Sequence, residues 1–302
     1  MRAWLAEALA KAAILAFLVL YISRSVMSQE LSTADVLKLP VPKADQRIPY
    51  GTDGLQFGDL RLPSGATPAP VVVVIHGGCW LSAFNLDHIS SLSAALTRSG
   101  AVTWTIEYRR VGNAGGGWPG TFEDISHAVD HLRTLASSHP LDLDRVVVLG
   151  HSAGGHLALW VAARSRLPKE SPLYVREPLR VRGVVALAPI PDLKRAALEN
   201  VCDGAAIELM GGAPEKLATR YDQASPASLL PLGVPVRVLH GKIDRLVPVE
   251  LSFAYAAAAR AKGDDVTLTL IPEAGHFEPI VPTTKAWPSV EAAVWELLKR
   301  PR

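Results

Sequence analysis

Three residues of this chain have the types that nucleophilic catalysis needs, and each follows an apolar run. Ser152 stands in Gly150-His151-Ser152-Ala153-Gly154, a match to Gly-x-Ser-x-Gly. A serine hydroxyl is a weak nucleophile at neutral pH. It needs a base, and the base needs a group to orient it. The candidate base is His276, in Glu273-Ala274-Gly275-His276-Phe277. The candidate orienter is Asp244, in the stretch from His240 to Pro248. The order serine, aspartate, histidine is one of the known chain orders for such a triad. Taken singly, each residue also has an ordinary reading: a helix cap, a loop aspartate, a surface histidine. A fourth feature concerns the negative charge that develops on a carbonyl oxygen under attack. His76-Gly77-Gly78-Cys79-Trp80 follows the apolar run Val71–Ile75 directly. The N–H groups of Gly77 and Gly78, with that of Ala153, are the expected oxyanion donors. One such donor is worth about 10²–10³ in rate, or ~3–4 kcal/mol.

These residues work only if strands end beside them. Val146–Leu149 reads as a buried strand that turns at Ser152 into a helix carrying Leu157, Leu159, Trp160 and Ala163. Val71–Ile75 is five β-branched residues in a row, as a strand buried on both faces requires. Val102–Glu107, Arg182–Leu187, Val236–Leu239 and Val266–Ile271 are further strands, and Gln56–Leu62 is an edge strand. Helices are expected over 85–99, 121–138, 152–165, 251–261 and 290–299. Such alternation means a mostly parallel sheet flanked by helices, an α/β fold. Residues 189–233 interrupt the alternation and are expected to form a small lid-like insertion. Charges at Lys194, Arg195, Glu199, Asp203, Glu208, Glu215 and Lys216 suit a soluble substrate better than a lipid surface.

With these motifs in place, the chain resembles the α/β-hydrolase superfamily, of the carboxylesterase type. His76–Trp80 is similar to the HGGxW loop of kynurenine formamidases and small-acyl esterases, and Gly150–His156 reads GHSAGGH, as in that group. A looser likeness is to the catalytic domain of prolyl-oligopeptidase-type peptidases. The resemblance spans about residues 50–300. It implies hydrolysis of a small-molecule ester or amide through an acyl-enzyme, with no cofactor. Within that class an arylformamidase-like amidase is the alternative. Outside it, the alternative is an α/β-hydrolase that only binds a small ligand, although such binders can lose a triad member and all three candidates are present.

Composition narrows the rest. The chain has 302 residues, 49% of them hydrophobic, and a net charge of +2. Residues 1–26 carry Arg2, Lys11 and Arg24 against Glu7, so the remainder is neutral. A neutral body without basic stripes argues against a nucleic-acid partner. Ala12–Ile22 is uncharged, the length of a signal-peptide core and short for a membrane span. Residues 1–26 are therefore a signal or anchor-like segment, with possible membrane attachment, or an extension before a start at Met27. Localisation follows whichever holds, and 27–302 is expected to be one domain. Cys79 and Cys202 exclude a disulfide framework; one bridge or two thiols stay open. The histidines do not cluster with them at zinc spacings, so no metal is expected. Trp80 and Trp118 are the expected substrate-binding walls. His156, one turn past Ser152, reads as a packed residue rather than a second base. Glu107, Arg109 and Asp124 are either an ion-pair set behind the glycine-rich loop 112–120 or separate surface charges. Oligomeric state is not legible.

Overall fold

The computed structural model describes residues 30–65 and 67–300, so the reading of residues 1–26 lies outside the described residues. The chain divides into Met1–Glu30 and Leu31–Arg302, and everything below belongs to the second unit. Eight strands form one sheet. They are β1 (Gln46–Pro49), β2 (Phe57–Arg61), β3 (Ala69–Ile75), β4 (Val102–Ile106), β5 (Leu141–His151), β6 (Gly183–Leu187), β7 (Val236–Gly241) and β8 (Val266–Ile271). Their spatial order is β1-β2-β4-β3-β5-β6-β7-β8. The pairs β1–β2 and β2–β4 are antiparallel, and every pair from β4–β3 to β7–β8 is parallel. The chain reverses its direction of travel at β3, with β4 on one side and β5 on the other. In open parallel sheets the crevice beyond the C-terminal ends at such a switch point is where ligands bind.

The central strands alternate across the sheet because successive side chains point to opposite faces. Val71, Val73, Ile75, Val146 and Val148 pack on one side, with the helices Gly120–Asp130 and Ala153–Ala163. Val72, Val74, Val147 and Leu149 pack on the other, with Leu92, Leu96, Val294 and Leu297. Both faces are covered, which is why these strands read as unbroken apolar runs. Several bounds differ from the sequence reading. The helix expected over 121–138 breaks at His131 into Gly120–Asp130 and Leu132–Leu135, the one expected over 85–99 opens as the 3-10 turn Leu86–Ile89, and β5 begins already at Leu141. The strand read as an edge, β2, is covered by β1 and lies between β1 and β4. Among the described residues no helix is long and apolar enough to cross a membrane.

The segment between β6 and β7 forms short helices at Leu193–Leu198, Ala205–Met210 and Ala218–Ala224. It is bonded to the body at several points. Trp160 Nε1 donates to the Gln223 carbonyl at 2.9 Å, and His156 Nε2 to that of Ala224 at 2.8 Å. The Trp118 N–H donates to the Leu209 carbonyl at 2.7 Å. A disulfide, Cys79–Cys202, joins the segment to the loop after β3.

Candidate active site

Ser152 sits at the turn from β5 into the helix Ala153–Ala163, with φ 56° and ψ −122°. A non-glycine residue there is strained by roughly 1–3 kcal/mol, and such strain gathers at functional sites. The turn is possible because its flanks lack side chains. A Cβ on Gly150 would strike the Gly154 carbonyl, and one on Gly154 would strike the carbonyls of Ile75 and His76. The Ser152 N–H donates to the Leu187 carbonyl at 2.8 Å, pinning the turn to the end of β6.

His276 and Asp244 reach the same place from the ends of β8 and β7. His276 Nδ1 lies 2.7 Å from Asp244 Oδ2, whose side chain is fully buried. Asp244 Oδ1 accepts the N–H groups of Leu246 and Val247 at 2.8 and 2.9 Å. Behind it lies a residue that the sequence reading passed over. His240 Nε2 is 3.2 Å from Asp244 Oδ2 and 3.0 Å from the Val247 carbonyl, and its Nδ1 is 2.8 Å from Ser252 Oγ. Burial would raise the Asp244 carboxyl. The hydrogen bonds from His240, His276 and Val247 outweigh it and hold the group well below the usual carboxylate range. Asp244 is therefore held in its ionised form at neutral pH.

Ser152 and His276 line one cavity of about 290 Å³. It is mostly apolar, walled by Phe84, Phe277, Leu246 and Val247, with Gly78, Cys79, Cys202 and Asp203 along one side. Larger clefts lie beside Arg61 and around Arg164, but neither contains the nucleophile or its base. Thr33 touches the cavity edge, and nearby Leu31 donates its N–H to Glu278 Oε1 at 2.7 Å. The other oxygen, Glu278 Oε2, accepts the N–H of Gly275 at 2.8 Å. The start of the described chain is thus tied to the loop that carries His276.

The loop after β3 differs from expectation in one respect. The Gly77 N–H points at His88 Nε2, 3.3 Å away, and so is engaged. Gly78 and Cys79, not Gly77, line the cavity, and their N–H groups make no hydrogen bond among the described residues. Ala153 opens its helix, and its N–H has no intrahelical acceptor. Gly78 has φ 99°, and a Cβ there would run into the Phe84 ring. Gly77, expected as a donor, thus has its N–H engaged, whereas Gly78 and Cys79 present theirs at the cavity.

The two tryptophan walls are also corrected, since neither indole lines this cavity. Trp80 has φ 57°, which turns its side chain into the core, where it is fully buried and donates Nε1–H to His156 Nδ1 at 3.2 Å. Trp118 packs edge-on against Phe122, 5.6 Å between ring centroids. His156 is accordingly a packed, doubly bonded residue. Burial pushes it down to about 4, and His88 to about 3, so both rings are neutral. His151 donates Nε2–H to the His276 carbonyl at 2.9 Å and is likewise held well below its ordinary value by burial. Arg109 and Asp124 form a two-point ion pair, closest at 2.6 Å. Glu107 turns elsewhere, pairing with Arg110 and, at 3.0 Å, with His76. Among the described residues no group of three His, Cys, Asp or Glu side chains could hold a metal.

The sheet order, the strained turn at Ser152 and the strand-end placement of Asp244 and His276 define an α/β-hydrolase. The solved structures agree on the fold: a truncated carbohydrate esterase from gut microbiota superposes with a TM-score of 0.74 at 20% identity, covering 86% of this chain and 98% of that one. Within the fold, the BD-FAE family pattern matches residues 59–258, and the chain belongs to that family. Esterase LipQ of Mycobacterium tuberculosis is 27% identical over 260 residues, 81% of this chain and 60% of its own. Kynurenine formamidase of Danio rerio is 27% identical over 147 residues, 47% of each chain. The chain thus spans about three fifths of the length of the LipQ esterase it matches.

Proposed function

We propose that the chain is a carboxylic ester hydrolase that opens esters of small or medium acyl groups through a serine-bound acyl intermediate. One observation carries this reading. Ser152, on a strained turn, faces the same cavity as His276, whose far nitrogen is bonded to a buried, ionised Asp244. Ser152 Oγ attacks the ester carbonyl carbon while His276 Nε2 takes its proton. The carbonyl oxygen becomes an oxyanion and accepts hydrogen bonds from the N–H groups of Gly78, Cys79 and Ala153. Collapse breaks the bond to the alcohol, which leaves with the proton from His276. Water then attacks the acyl-serine by the same route, releasing acid and free Ser152. Asp244 fixes the ring tautomer and stabilises the imidazolium without being protonated.

The likeness to esterase LipQ supports an ester substrate. The match to a kynurenine formamidase supports a second reading, in which the same residues cleave a formyl amide. The cavity, at about 290 Å³, lies just below the ~300–1,000 Å³ of sites for drug-sized ligands, which favours acetyl to hexanoyl groups over long chains. The test is labelling by a fluorophosphonate, followed by turnover of p-nitrophenyl esters of increasing chain length, with N-formylkynurenine and an emulsified triglyceride alongside. Ser152→Ala is expected to lose both labelling and turnover with the fold intact. Undiminished hydrolysis by that variant would remove the serine mechanism. A rate maximum on emulsified long chains would remove the small-acyl assignment.

A further inference from the structure

The cavity around Ser152 carries a charge pattern that the hydrolytic chemistry does not need. Among its lining residues there is no Lys or Arg, and the one acidic side chain is Asp203. Two of its rings, His88 and His151, are kept neutral by burial. Asp203 is exposed and makes no ion pair among the described residues. It is held at the rim by a covalent and conformational constraint. Its neighbour Cys202 is bridged to Cys79, and Asn200, Cys202 and Asp203 all have left-handed backbone, with φ of 53°, 57° and 52°. Three such residues in a stretch of four, none of them glycine, are strain that unconstrained chain would relax. The remaining wall offers aromatic rings at Phe84 and Phe277. A carboxylate, two aromatic rings and neighbouring apolar side chains such as Leu246 and Val247 make up the surroundings in which a quaternary ammonium group is recognised. The ring faces attract the cation, the methyl groups contact apolar surface, and the carboxylate balances the charge.

The position of the charge says which part of the substrate it meets. Ser152 is 2% exposed and lies at the base of the cavity, whereas Asp203 is at its open rim. An ester whose acyl group takes the inner apolar part would extend its alcohol towards Asp203. We infer that the site selects esters whose alcohol carries an alkylated ammonium group, with Asp203 as the residue that sets this preference. The inference rests on the ester-hydrolase reading and narrows its substrate class.

Two isosteric esters separate charge from shape. Butyrylcholine has a trimethylammonium head, and 3,3-dimethylbutyl butyrate has the same outline without the charge. With the full chain, kcat/KM for the charged ester is expected to exceed that for the neutral one about three- to tenfold at low salt, most of it in KM. The ratio should fall towards one in Asp203→Asn and at high ionic strength, and recover in part in Asp203→Glu. Because both substrates undergo the same chemistry, the ratio cancels any general loss of activity in the variants. A ratio near one in the unaltered chain, or one that Asp203→Asn leaves in place, overturns the inference. Calorimetric titration with choline keeps the two readings apart. If neither ester, nor p-nitrophenyl butyrate, is turned over, the hydrolase reading has failed. Millimolar choline binding that is lost in Asp203→Asn would then still support the Asp203 site, and no binding would end it.

Discussion

Two loops reach Ser152 from opposite sides, and they treat charge in opposite ways. In the loop after β7 the Asp244 carboxylate is saturated. One oxygen takes two main-chain N–H groups, and the other faces His276 and His240. In the loop after β3 the surroundings are bonded while the working groups are left open. His76 is held by Glu107, Gly77 by His88 and Cys79 by its bridge, yet the Gly78 and Cys79 N–H groups have no acceptor among the described residues. The difference follows from when each charge exists. Asp244 is charged throughout the cycle, so donors that satisfy it always stabilise the fold and the site together. An oxyanion exists only near the transition state. Donors aimed at it must stay unmatched in the resting chain, and the loop must be fixed by other groups so that they cannot turn away.

The largest effect that would break this comparison is expected at the saturated side. Asp244→Asn should lower kcat by about 10⁴, because the amide leaves His276 in the wrong tautomer. Pre-steady-state acylation would register the loss. A drop of less than tenfold would mean that another carboxylate orients the base. On the open side, Gly78→Ala should cost about 10²–10³ in kcat, since a Cβ collides with Phe84 and turns the N–H from its aim. Circular dichroism of the variant checks that the sheet survives, and a normal rate would place the oxyanion elsewhere. His240→Leu removes one donor from a charged acceptor, a bond worth about 1.5–3 kcal/mol, so roughly a ten- to hundredfold fall in kcat is expected. His240→Gln, which keeps an N–H, should recover part of it. Equal losses in both variants would reduce His240 to a packing role.

The smallest effect sharpens the comparison through stability. His88 and His156 are held at about 3 and about 4, against an ordinary value of 6.5, because they are buried as acceptors. The unfolded chain therefore takes up protons first as pH falls. Their contribution is complete above about pH 6.5 and is lost progressively down to their folded values, at up to about 1.4 kcal/mol per pH unit for each ring. Urea midpoints measured from pH 7 to pH 4 should decline accordingly. A flat profile would mean that other groups compensate for both rings.

Much of this was legible from the residues, for a local reason. β-Branched runs and glycine spacing are properties of neighbouring residues, so β3, β5 and the turn at Ser152 can be read off the chain. The strand-end positions of Asp244 and His276 follow from the same runs. What could not be read depends on contacts between distant residues. Nothing near Gly77 says that its N–H will meet His88, or that Trp80 will face His156 rather than the cavity. His240 was visible as the residue four before Asp244, at the end of a buried strand. A histidine on a fully buried strand end, with a hydroxyl-bearing helix to follow, is the signal that could have found it.

The bridge between Cys79 and Cys202 closes a loop across a sequence separation of 123 residues. Where the surrounding thiol pool is oxidising, that bond persists and tethers the insertion to the cavity wall. The entropy it removes from the unfolded chain corresponds to about 5 kcal/mol. Where the bridge is reduced, the same polypeptide carries two thiols beside the nucleophile's cavity instead. The insertion then keeps its bonds to Trp118, His156, Trp160, Ser171 and Asp264, and its core packing through Leu193, Leu209 and Tyr221. Reduction is therefore expected to remove a covalent tie in the cavity wall while the insertion stays packed on the body.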